Sequence, residues 1–158
     1  MSDLIDLRRA EVPWALQDRL VLATEGPVSL WLDAFRLHSQ ALLFSSTLVW
    51  DPTAVSEDPD DWPDLTGTRP GREPVRLEVL ANETLWVNDP RSEQPLEFFN
   101  ASAVPGFATA SWWIPVVPRA LKFTVQTSLL PDMIHADIDA SGWQDAVDHV
   151  IHLNREAG

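Results

Sequence analysis

The segment His135-Ala-Asp-Ile-Asp139 has the spacing best suited to chemistry in this chain. In an extended strand alternate side chains share a face, so His135, Asp137 and Asp139 would point the same way. One imidazole and two carboxylates on a face are a donor set for a hard or borderline divalent cation, and a metal-dependent enzyme would be centred there. Ile134, Ala136 and Ile138 on the opposite face give a plainer account, a half-buried strand with one solvated side. We favour that account and assign no metal.

Other polar groups meet the same test. Asp145, His149 and His152 fall on one stripe of a helix, where Asp–His pairs are ordinary stabilisers. Glu57, Asp58, Asp60, Asp61 and Asp64 crowd one loop, and calcium takes oxygen ligands. The D-x-D-x-D-G order is missing, however, and Pro59 and Pro63 stiffen the segment, so a solvated loop is expected. There is no G-x-S-x-G turn to expose a serine nucleophile, and the glycines stand singly rather than forming a phosphate cradle. Twenty-four acids leave a carboxylate pair for glycoside hydrolysis open, but no pair stands out. We expect no catalytic residue and no cofactor.

Eight tryptophans and no tyrosine are more than a core of this size needs. In "SWWIPVVP" (111–118) two of them are adjacent, so a strand must send their rings to opposite faces. Trp112 shares a phase with Ala110, Ile114 and Val116 and belongs to the core. Trp113 has two destinations. One is burial under a C-terminal helix, the reading we favour. The other is an exposed sheet face or edge, where aromatic rings serve binding. Pro115 lacks an N–H, so its strand should be an edge or be bulged. Trp62, in the acidic loop, is the ring expected to be most exposed. Trp62, Trp113 and Pro115 are therefore the candidate partner-binding residues.

These residues need elements to hold them. Residues 1–18 lack periodicity and read as an N-terminal arm or one helical turn. Residues 28–38 and 41–50 alternate apolar and polar positions around a short "HSQ" link, a hairpin. Past Asp33 the apolar phase slips by one, the mark of a bulge. Residues 51–74 hold five prolines, two glycines and seven acids, which forbids regular structure and leaves a long acidic, Pro-rich loop. Strands follow at 75–81, 84–87, 109–117, 121–129 and 133–139, with 96–101 as an edge strand. Ser141 and Gln144 form a capping box, and Trp143, Ala146, Val147, Val150 and Ile151 trace an apolar stripe, so 141–153 reads as a helix. The whole is one domain over 1–158, mainly β. We expect an antiparallel sandwich of about seven to eight strands with that helix packed on it, an open barrel being the alternative.

The order of "VSLWLDAFRLHSQALLFSSTLVW", "SWWIPVVPRALKFTVQ" and "SGWQDAVDHVIHL" resembles a family of small uncharacterised actinobacterial proteins. These share a hairpin, a tryptophan-proline strand, a further strand and a C-terminal helix. The likeness runs over roughly residues 12–153. It implies the fold and carries no residue roles.

Charge narrows the function. Eleven basic residues against twenty-four acidic give a net −13, which repels phosphate backbones and anionic lipid, so neither nucleic acid nor membrane is an expected partner. Cysteine is absent, and "MSDLIDLRRAEVPW" has no apolar leader, which fits a cytoplasmic, soluble protein. The expected role is a non-catalytic module that binds another protein or itself, with a homodimer as one form. A carbohydrate or small-ligand binder using exposed tryptophan is the alternative.

Overall fold

In a computed structural model of the chain, residues 2–24, 28–53, 58, 62–69, 72 and 74–153 are described. Helix α1 (Ser2–Ala10) leads into strands β1 (Glu11–Val12), β2 (Trp14–Ala15), β3 (Leu20–Ala23), β4 (Val28–His38) and β5 (Ala41–Trp50). Then come β6 (Arg76–Ala81), β7 (Thr84–Val87), β8 (Glu97–Val104), β9 (Phe107–Ile114), β10 (Ala120–Gln126) and β11 (Ile134–Asp139). Helix α2 (Trp143–Ala146), a 3₁₀ turn (Val147–His149) and β12 (Ile151–His152) follow.

The strands form an antiparallel sandwich, as the alternating apolar runs require, and no barrel closes. One sheet has six strands in the order β2-β4-β5-β9-β8, with β3 also paired to β4. The facing sheet runs β11-β10-β6-β7, and β1 pairs separately with β12. The inward positions of β4, β5 and β9 meet those of β6 and β10 in a hydrophobic core. At its centre the Phe123 ring stands edge-on to Phe44, 5.4 Å away, and Phe35 lies 5.6 Å from Phe44. Each such ring contributes about 1.5–3 kcal/mol by leaving water.

The predicted phase slip in β4 is a bulge. Its pairing with β5 shifts between Asp33 and Arg36, and Ala34 there takes a left-handed φ of 54°. Val28, Leu30 and Leu32 therefore bury themselves before the bulge, and Phe35 and Leu37 after it.

The C-terminal helix is shorter than its apolar stripe predicts. Its cap makes no side-chain hydrogen bond, and Gln144 instead donates from Nε2 to the Val117 carbonyl at 2.7 Å. Trp143 and Val150 are buried, Trp143 lying 6.0 Å from Phe35, but Ile151 is 59% exposed. Backbone pairing outcompetes the helix: Ile151 and His152 lie opposite Val12 and Glu11, and the Leu153 N–H donates to the Ala10 carbonyl at 2.7 Å. A helix of this length is marginal by itself, so a ladder that satisfies the same groups wins. The N-terminal arm is likewise structured, as α1 and two short strands.

Candidate interaction edge

The tryptophan-proline strand is not an edge. β9 lies between β5 and β8, and the bulge near it falls on β8, between Phe98 and Asn100. Pro115 sits exposed just past the last paired residue of β9, where its missing N–H ends the ladder without orphaning a partner. The two rings go to opposite faces, as alternation demands. Trp112 is wholly buried in the main core, its indole N–H donating to Ser46 Oγ at 2.9 Å. Trp113 is buried too, under α1 and not the C-terminal helix. It packs with Leu4, Ala41 and Leu43, flanked by Leu7 and Phe99, while the Arg8 guanidinium lies 5.2 Å over the Phe99 ring.

Trp62 also corrects the expectation of exposure. Its side chain is only 9% exposed, with its ring 6.2 Å from Trp50 in the core. Polar groups hold the described part of the acidic loop, residues 62–69. Asp64, itself buried, accepts from the Thr66 amide and hydroxyl and from the Arg69 amide. Asn88 accepts from the Leu77 amide and donates to the carbonyls of Leu65 and Val75. Gly67 has φ of 72°, and a Cβ there would collide with the Asn88 carbonyl. Asp58 is exposed, whereas Glu57, Asp60 and Asp61 lie outside the described residues.

β11 shows the expected alternation, with His135, Asp137 and Asp139 exposed on one side. They do not converge: among the described residues no three histidine or acidic side chains are grouped to hold a metal ion. His135 Nδ1 lies 3.0 Å from the Thr124 hydroxyl across the strand pair, and Asp137 stands opposite Lys122. Asp139 accepts from the Ser141 hydroxyl and amide, which hold its carboxyl below the usual range. Asp145 is exposed, and the helical stripe it was to share with His149 and His152 is not formed. His149 instead stacks on Trp14 with ring centroids 4.5 Å apart.

His152 belongs to a cluster that sequence reading missed. Glu11 is 5% exposed, and its carboxylate accepts from the Ser39 amide (2.9 Å), the Ser39 hydroxyl and His38 Nδ1 (3.2 Å). His152 Nδ1 lies 3.4 Å from its second oxygen. Burial pushes the Glu11 carboxyl up, but the Ser39 hydroxyl and amide and His38 outweigh it and hold the group below its ordinary value. Burial lowers His38 against the pull of Glu11, and Arg36 and Arg8 add to the lowering. The cluster ties the first strand, the β4–β5 turn and the last strand together. Both oxygens of the Glu11 carboxylate are engaged, which suits a structural clasp.

Among the described residues, the edges of the two larger sheets differ in how they are finished. An open edge invites another chain, and proteins blunt it with shortness, charge, bulges or covering segments. β2 and β3 are short, and the pairing of β3 shifts between Val21 and Ala23. β7 has four residues, and the segment after it caps its end: Val87 N–H donates to Gln94 and Leu96 N–H to Val87. β11 carries its histidine and two aspartates. β8 has eight residues, and after Glu97 none is charged. Asn100, Ala101, Ser102, Ala103 and Val104 are all exposed, Val104 to 54%. A cleft of about 330 Å³ opens at the start of this strand, lined by Leu96, Phe98, Pro90, Pro95 and Thr66. A smaller one is lined by Ala101–Ala103 together with Asp64, Arg69 and Arg72.

No helix of the described residues is long and apolar enough to cross a membrane. No protein-family model matches the chain, and no curated protein or solved structure matches it either.

Proposed function

We propose that this chain is a non-catalytic protein-interaction module that accepts a partner strand along β8. One observation carries the reading: β8 is long, exposed and uncharged beyond Glu97, while the other sheet edges of the described residues are short, capped or charged. In strand addition the backbone supplies affinity and side-chain pockets supply selectivity. The cleft at Leu96 and Phe98 offers an apolar pocket at one end of the strand, and Arg69 and Arg72 offer positive charge near the other. Trp62 and Trp113 act from inside the fold, packing the segments that frame this edge, and are not platforms for a ligand.

Selection from a displayed library of short extended peptides tests the proposal. Peptides recovered on the folded protein should slow hydrogen exchange at the amides of residues 100–104. Peptides that protect other segments, or a library that yields no binder, would count against it.

A further inference from the structure

Resting on that reading of β8, we infer that the strand it accepts is β8 of a second copy, joined antiparallel about a twofold axis at Ser102. Such an isologous contact demands a strand that is complementary to itself. Pairing about Ser102 sets Ser102 against Ser102 of the second copy, Ala101 against Ala103, and Asn100 against Val104. Every pair is small and neutral. Like charges placed directly opposite would oppose the pairing, and this register contains none.

That neutrality matters because two copies, each of net charge −13, repel one another over most of their surfaces. The neighbouring outward positions on β9 extend the uncharged strip: Phe107, Thr109 and Ser111 pair with Val104, Ser102 and Asn100. Phe107 is 41% exposed and Val104 54%, leaving apolar surface beside the seam. Arg69 and Arg72 line a cleft with Ala101–Ala103, outnumbering the one acid there, Asp64, so the charge beside the seam is not the acidic excess of the chain as a whole. β11 shows the opposite choice, since doubling Asp137 and Asp139 across a twofold would set carboxylates against carboxylates. Pairing through β8 joins two six-stranded sheets into one continuous sheet and leaves both second sheets free.

A charge-swap experiment on the full chain tests this. Light scattering after size exclusion, from about 1 µM to about 1 mM, should show a monomer–dimer equilibrium. Ser102→Lys and Ser102→Glu each set like charges face to face at the axis and should each weaken the dimer at least about tenfold. Mixing the two variants should restore it. Ser102 is exposed, and unchanged circular dichroism would verify that both variants fold. A chain that stays monomeric throughout, while library peptides still shield residues 100–104, overturns the second copy and leaves the strand-accepting edge standing. A dimer indifferent to both charges, or variants that fail to rescue each other, overturns pairing about Ser102.

Discussion

The two flanks of the six-stranded sheet are finished in opposite ways. On the flank of β2 and β3, the chain invests both of its terminal segments: β1 pairs with β12, Glu11 draws in His38, Ser39 and His152, and Trp14 stacks on His149. α1 then crosses the outer face as far as Trp113 and Phe99. On the other flank, among the described residues, β8 ends the sheet, with the uncharged side chains of Asn100–Val104 exposed. Conspicuous residue types thus mark the flank that is shut. The flank that is open is written in alanine, serine and valine.

The largest effect should come from breaking the shut side at its anchor. Trp113→Ala removes the ring that holds α1 on the sheet and should cost about 3–5 kcal/mol in urea unfolding. A tryptophan displayed for binding would tolerate the change. Glu11→Ala comes next. It leaves the Ser39 amide and hydroxyl and His38 without their acceptor and should cost about 2–3 kcal/mol, read in the same way.

Acid should act on the same clasp, more weakly. Both Glu11 and His38 bind protons less readily in the fold than in the unfolded chain. Stability is therefore complete above the ordinary histidine value of 6.5 and declines as pH falls through it, because unfolded His38 protonates first. It declines further below 4.5, until folded Glu11 itself takes a proton. Glu11→Ala should flatten the lower part of that profile. The smallest effect is reserved for the open side. Ser102→Lys should leave the unfolding free energy of the monomer within about 0.5 kcal/mol of the original, since Ser102 is exposed.

Much of the fold was legible in the sequence because strands announce themselves by alternation. The β4–β5 hairpin, its bulge, the burial of Trp112 and the edge position of the strand after Leu96 all follow from period and phase. What stayed hidden depends on partners distant along the chain. Glu11 sits in an arm without periodicity, and the groups it binds belong to a turn and to the last strand. The burial of Trp62 needs Asp64, Gly67 and Asn88 acting together, while local composition speaks only of an acidic, proline-rich loop. Trp113 went under the N-terminal helix because α1 has an apolar side that its short, charged sequence conceals. Residues 141–153 satisfied the period of a helix, yet the helix stops at Ala146 and pairing with Glu11–Val12 takes Ile151 and His152. The candidate edge was seen as a strand, but nothing in "NASAV" advertises a site.

The bulge at Ala34 has a consequence for how this protein can vary. Its hydrophobic register is even-numbered up to Leu32 and odd-numbered from Phe35, so the strand has a reading frame. A residue gained or lost away from the bulge would turn one half of that frame outward, whereas loss of Ala34 alone would put Leu32 and Phe35 in one phase and leave β4 a regular strand. The connections between strands can lengthen or shorten over generations; within β4 a change of length has one place to be absorbed, the bulge itself.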